Sequence, residues 1–449
     1  MSERDFLMKN HLFLLGILCP IVANAAIDDC MTRTTVPSEP MDLKQIIDLG
    51  LCRNPQTAAS FLAFESARMS KNAGYADYLP SVSLGANASL PYRNEQWGDW
   101  SYGASLSASY LIFDFGKRLS DLNQSIASWR ASGFDYDESV QNYVYSVIGS
   151  YYGLLKAQAD VTSAEMLYKV AKTAHETAKN KFKAGSVAKA DVLRADTTLA
   201  SRDLDLERAK NNLKIAKGTL LNKLSFSADQ DIQIKDLPSE IGAPQETKSL
   251  DELFEQAQKT RPDILRATAN KDSAWYRRNS TLLSNLPSIS ASGSLSWNNN
   301  PTETFGAGQD NISGSIGIRA SMPLFAGFAN MYNARAAQYN YERALEQERA
   351  TNDNAELDIF TAYQNYKTAQ NVLKQTETLL KSATESENVT AGMYKVGRAT
   401  MLDWQTAQSE LVDAEKQNNA AKYDLFVKRA AVALAVGEIK VELNDGESK

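Results

Sequence analysis

The chain has 449 residues, 48 basic side chains against 54 acidic ones, and a formal net charge of −6. That balance argues against a nucleic-acid partner, which calls for a basic excess or stripe, and no apolar run approaches the roughly 18 residues of a membrane-spanning helix. Two His and three Cys are too few for a zinc framework or a His-rich metal site, so no metal and no cofactor is expected, while only 12 Pro leave room for very long helices.

The amino terminus reads as an export signal over residues 1–25. Lys9 supplies positive charge, although Glu3 and Asp5 make the extreme end unusual and Met8 is an alternative start. Leu12–Ala23 is apolar and too short to span a bilayer. Ala23-Asn24-Ala25 fits the small-residue cleavage rule, which starts the mature chain at Ala26. Cys19 is a poor lipoprotein acceptor because Leu18 precedes it. After a short segment, 26–41, the mature chain retains Cys30 and Cys52. In an oxidising compartment the two form one disulfide, or else remain unlinked thiols.

The rest of the chain is duplicated. Leu43 matches Leu250, Pro55 matches Pro262, and Leu79-Pro80-Ser81 matches Leu286-Pro287-Ser288, each 207 residues apart. Further on, Phe113 matches Phe325, Tyr151 matches Tyr363, Gly185 matches Gly397 and Asp191 matches Asp403, now 212 apart. The extra residues fall between Ser288 and Phe325. The polar segment Asn298–Asn311, longer than Pro91–Asp99, is the natural place, as a variable loop in a repeat should be. The first repeat takes 42–248 and the second 249–438, leaving a tail of 439–449.

Each repeat begins with a helix and then carries two strands, about 80–91 with 100–113 and about 287–297 with 311–323. Val82, Leu84, Ala86 and Ala88 alternate with Ser81, Ser83, Gly85 and Asn87; Tyr102, Leu106, Tyr110 and Ile112 alternate with Ser101, Ser105 and Ser109. Ile289, Leu295 and Trp297 alternate with serines, as do Ile312, Ile316 and Ile318. Period two over about ten residues fits a transmembrane barrel with an apolar lipid face and a polar lumen. A sheet packed on a soluble core shows the same alternation, but its reverse face would ordinarily be charged, and this one is mostly serine and glycine with almost no charge, Arg319 being the exception. Four strands cannot close a barrel, and open edges are not tolerated in lipid. Several chains must cooperate, and three would supply twelve strands.

Long helices follow each strand pair, about 116–183 and 189–224, then about 329–394 and 401–436. A heptad seam runs through Leu122, Trp129, Tyr136, Tyr143, Leu154, Ala164, Ala171, Ala178 and Phe182, and again through Val192, Leu199, Leu206, Leu213 and Leu220. This is coiled-coil patterning, and the first helix would be about 100 Å long. His175 lies on the seam and reads as a packed side chain rather than a ligand. Two tip turns, 184–188 and 395–400, join the helices, and Gly185 and Gly397 can take the left-handed conformation that ends a helix. Asp191 and Asp403 follow each glycine by six residues. They complement the helix dipole, or, in a symmetric tube, form carboxylate rings that select cations; the sequence leaves both open.

These features together resemble the TolC-like outer membrane factor family of Gram-negative bacteria. The resemblance rests on the export signal, the duplicated helix–strand–strand–helix–helix plan, and Tyr-Leu-Pro-Ser and Asn-Leu-Pro-Ser entering the strands. It rests also on Leu-Ile-Phe-Asp114-Phe-Gly116 and Pro323-Leu-Phe-Ala-Gly327 leaving them, and on the tips Phe182–Asp191 and Tyr394–Asp403. It covers about residues 42–438. It implies a mainly α fold with a transmembrane β-barrel: a homotrimer with a 12-stranded barrel, four strands per chain, in the outer membrane, and a long coiled-coil α-helical barrel in the periplasm. The implied function is the passive exit duct of a tripartite efflux pump or type I secretion system. Its tips, Gly185, Ser186, Val187, Ala188, Gly397, Arg398, Ala399 and Thr400, would dock on a periplasmic adaptor that links to an inner-membrane transporter. Asp191, Asp403 and Arg398 match the closed periplasmic entrance, and the region around 225–248 the equatorial belt. Two departures stand out. A second acidic residue of the family's entrance is replaced here by Thr406, next to Gln405, and the basic tip residue, Arg398, directly follows the glycine.

An enzyme finds little support, because there is no Gly-x-Ser-x-Gly elbow, phosphate-binding loop or His-Glu-x-x-His helix. The remaining rival is a periplasmic coiled-coil scaffold or adhesin whose strands never enter lipid.

Overall fold

The computed structural model describes residues 36, 39–90, 92–93, 95–97, 99–235, 249–300 and 309–439. The signal segment with Ala25, and Cys30, lie outside the described residues, as do 236–248 of the linker and nearly all of the tail. Cys52 is disulfide-bonded.

The first repeat opens with two helices where the sequence reading expected one. These are α1 (Leu43–Arg53) and α2 (Pro55–Ala73), separated at Asn54. Pro55 cannot donate the backbone hydrogen bond that would continue α1, and it is well placed at the first position of a new helix. The Asn54 side chain accepts from the Gln56 and Thr57 amides and starts that helix. Strand β1 (Ser81–Ser89), a short hairpin of β2 (Tyr92–Arg93) and β3 (Gln96–Trp97), and β4 (Ser101–Phe113) follow. Then come α3 (Lys117–Lys183) and α4 (Lys189–Lys223). The second repeat gives α5 (Leu250–Thr260), α6 (Pro262–Leu283), β5 (Ser288–Asn300), β6 (Gln309–Ser321), α7 (Ala329–Lys395) and α8 (Met401–Val436).

Both long helices, α3 and α7, have 67 residues, which is about 100 Å at 1.5 Å per residue. The positive-φ positions also repeat: Phe115 with Gly327, Gly116 with Phe328, Gly185 with Gly397, and Ser225 with Gly437. Phe115, Ser225 and Phe328 hold a left-handed backbone that residues other than glycine rarely adopt. The backbone repeat is therefore kept where the residue type is not.

The four longer strands form one antiparallel sheet in the order β1-β4-β5-β6, with β1 and β6 as open edges. Ser81 pairs with Ser109 and Ser288 with Ser321, so the two hairpins share one register and the added length lies beyond the pairing. In the second repeat the pairing continues to Asn300 and Gln309. In the first it breaks, and the short Tyr92–Trp97 hairpin resumes it one residue out of step, with the two rings 4.8 Å apart.

The largest buried cluster among the described residues joins α1, α3, α4 and the segment after it. Ile46 of α1, Val147 and Leu154 of α3, Leu220 and Leu221 of α4, and Leu224 and Ile232 beyond it are fully buried. Each such side chain contributes about 1.5–3 kcal/mol relative to exposure. Gly50 lies so close to Tyr143 and Leu224 that a Cβ would meet Leu224 Cδ2 at 2.8 Å. The Tyr143 hydroxyl donates to the Lys223 carbonyl at 2.9 Å, and burial pushes its pKa up. The N-terminal segment is tied in by a parallel bridge between Met41 and Ile234.

The seven-residue stripe expected along α4 is only partly buried. Leu206 and Leu220 are covered, while Val192, Leu199 and Leu213 are half-exposed. The reason is that α3 spreads its packing over several helices, with buried residues such as Tyr151, Tyr152, Leu154 and Leu155 adjacent in sequence and facing different neighbours.

Candidate functional site

Two regions of the molecule carry functional geometry, the helix tips and the sheet. At the first tip, α3 ends at Ala184. The Gly185 amide then donates to the Phe182 carbonyl at 2.9 Å and the Ser186 amide to the Lys181 carbonyl at 2.9 Å. This is the paired bonding that closes a helix through a left-handed residue, and Gly185 sits at φ 73°. The second tip repeats it: Gly397, at φ 77°, donates to Tyr394, and the Arg398 amide to Met393 at 2.8 Å. Gly185, Ser186, Ala188, Gly397, Arg398 and Thr400 are exposed, and Val187 and Ala399 are half-buried. The Arg398 guanidinium has no hydrogen bond or ion pair among the described residues.

The helices leaving the tips start differently. Thr400 caps α8: its hydroxyl accepts from the Asp403 amide at 3.2 Å, and the Asp403 carboxylate accepts from the Thr400 amide at 2.8 Å and hydroxyl at 2.7 Å. This is a reciprocal capping box. The Thr400 hydroxyl and amide hold the Asp403 carboxyl below the ordinary aspartate range. Asp191 occupies the same position in α4, but its N-cap is Ala188, which has no side-chain cap. Asp403 thus serves the helix start within the single chain, and Asp191 offers its charge only to the dipole and to neighbours.

An aromatic cluster brings the two hairpins together, and the sequence reading missed it. Tyr394, Met401 and Trp404 of the second hairpin pack on Ala174, Ala178 and Ala195 of the first. Tyr394 and Trp404 stack with ring centres 5.0 Å apart. Trp404 Nε1 donates to Glu387 at 2.9 Å, and Lys181 Nζ sits 4.3 Å above the Tyr394 ring. Burial, and secondarily the Asp191 charge, raise the Tyr394 pKa. Gln405 Nε2 donates to Thr198 across the hairpins at 2.9 Å, while Thr406 faces outward and bonds only its own helix. The signal was present in the motif itself: Phe182 and Tyr394 are equivalent residues, yet Phe182 is 43% exposed and Tyr394 5%. His175 lies 3.8 Å from Asp196 of α4.

Where the sheet meets α3, buried Asp114 and half-buried Arg118 form an ion pair at 3.3 Å. Asp114 accepts from the Gly116 and Arg118 amides, and the Arg118 guanidinium donates to the Leu111, Ile112 and Asp77 carbonyls. That knot fixes the angle at which strand passes into helix.

The sheet has two unlike faces. Register places Ser81, Ser83, Ser107, Ser109, Ser292, Ser294, Ser296, Ser313 and Ser315 on one side. Ser83 with Ser107, and Ser294 with Ser315, bond across strands at 2.7 and 2.9 Å. The other side shows Leu84, Leu106, Leu295, Ile312, Ile316 and Ile318. Ile316 is 95% exposed and Leu84 80%, so these side chains lie uncovered among the described residues. The described helices include none long and apolar enough to cross a membrane.

Comparison with known proteins gives this architecture its family. Protein CyaE of Bordetella pertussis is 24% identical over 92% of this chain and 88% of its own length. Outer membrane protein TolC of Escherichia coli is 23% identical over 92% and 86%. The Campylobacter jejuni CmeC outer membrane channel superposes with a TM-score of 0.74 at 21% identity, covering 88% of this chain and 85% of that one. The family model described as outer membrane efflux protein matches residues 46–224 and 253–438, the two repeats in turn; the chain belongs to the outer membrane efflux protein family.

Proposed function

We propose that the chain is the exit duct of a tripartite efflux pump or type I secretion system in the outer membrane of a Gram-negative bacterium. Three copies would join β1 of one chain to β6 of the next and close a twelve-stranded barrel, with the helices continuing the bore into the periplasm. The observation that carries this reading is the sheet: among the described residues it has two unpaired edges and one apolar face that is largely exposed. In water such a face is an aggregation hazard, and in lipid an open edge is not tolerated. Closure with other copies satisfies both constraints, which leaves a soluble scaffold or adhesin without support.

Within this reading the tip turns 184–188 and 395–400 are the surfaces for a periplasmic adaptor, through which an inner-membrane transporter is reached. Asp191, Asp403 and Arg398 stand at the periplasmic entrance, which the packing of Tyr394 and Trp404 against the first hairpin holds narrow. Cargo passes without chemistry, so the protein is not an enzyme. Export uses the first 25 residues, with cleavage after Ala25, and Cys30 is the partner of Cys52.

Light scattering of the detergent-solubilised protein tests the assembly. The expected protein mass is about three times that of one chain, and a monomer would contradict it.

A further inference from the structure

The serine face of the sheet carries a single described charge. Its residues in β1, β4 and β5 are Ser, Gly and Asn almost throughout, and the pairing of Ser290 with Arg319 and of Ser288 with Ser321 puts Arg319 of β6 on that face. The equivalent position of the first repeat, paired with Ser83 and Ser294, is Ser107. Arg319 is exposed. Its guanidinium has no hydrogen-bond or ion-pair partner among the described residues. Arg319 lies two residues before the end of β6, at the end of the sheet from which α3 and α7 leave.

A guanidinium that stabilises nothing in its own chain, set among neutral hydroxyls, is an effective anion ligand. We propose that Arg319 forms an anion-binding constriction where the barrel meets the helical tunnel, one guanidinium from each chain. It would favour the passage of carboxylate- or phosphate-bearing solutes over cations at that level. This rests on the exit-duct reading. It gives the bore two opposed filters, carboxylates at the tips and guanidiniums at the base of the barrel. Charged rings of this kind set the sign of the permeant ion, and the neutral serines around Arg319 leave its field uncancelled.

The test is conductance in planar bilayers, with inorganic tripolyphosphate added on the side of the strand-connecting loops. The unsubstituted channel should show concentration-dependent block that strengthens as salt is lowered. Arg319→Ser should weaken the block about tenfold or more, the loss expected when a charge-assisted contact disappears, and Arg319→Lys should restore most of it. Equal block of the unsubstituted and Ser channels, or no block of either, overturns the proposal while leaving a conducting duct. A preparation with no current in any variant overturns the duct reading itself.

Discussion

In the first hairpin the turn leads into a helix whose N-cap, Ala188, cannot cap, and the adjoining Phe182 points outward. In the second, Thr400 and Asp403 lock the helix start, and Tyr394 and Trp404 point into the first hairpin's alanines. The backbones match down to the glycine dihedrals of 73° and 77°. The duplication has therefore kept a shape and divided the labour: one hairpin supplies a smooth alanine socket, the other the aromatic plug. The stack and the indole hydrogen bond lie within the second hairpin, and what joins it to the first is alanine packing, Lys181 over the Tyr394 ring and the Gln405–Thr198 hydrogen bond, none of which either turn depends on.

The largest expected effect comes from removing the plug. Trp404→Ala should cost about 3–5 kcal/mol of local tip stability, read as faster amide exchange over 391–404, whereas Val192→Ala at the equivalent position of the first hairpin should cost less than half of that. The turns themselves should respond alike: Gly185→Ala and Gly397→Ala should each cost about 1–2 kcal/mol, and a clear difference between them would break the shared-backbone account. Next, Thr400→Ala should lose about 1 kcal/mol. Ala188→Thr, which places a capping hydroxyl opposite the existing Asp191, should gain a comparable amount and make the two hairpins alike.

The smallest effect is with pH. The folded state holds the Asp403 carboxyl below its ordinary value of 3.8. Its contribution is therefore present above that value and is lost as pH falls through the lower folded-state pKa. Exchange protection at 400–404 should fall in that acid range, and Asp403→Asn should abolish the dependence. Asp191→Asn should leave it in place.

The duplication, the strands and the long helices were legible because each is written in a local period. Strand alternation survives in every pair, and the proline-poor stretches became helices of equal length. What the sequence hid depended on partners. Arg118 in the first turn of α3 opposes the helix dipole and reads as a surface residue, yet it is half-buried and paired with Asp114; the pair's second-repeat counterparts, Asn330 and Ala326, give no hint of it. Phe182 and Tyr394 are alike in letters and opposite in burial, since only the packing of one hairpin on the other decides which aromatic turns inward. The cap on Asp403 was readable, because Thr400 stands three residues before it, but the same spacing from Ala188 to Asp191 shows why the two carboxylates differ.

In the barrel the serine face meets water in a shared bore and the isoleucine face meets lipid. Single cysteines at Ser294 and at its neighbour Leu295 test it, in protein reconstituted into liposomes and exposed to a membrane-impermeant thiol reagent. Ser294→Cys should be labelled and Leu295→Cys protected; equal labelling, or the reverse order, would overturn this orientation of the sheet.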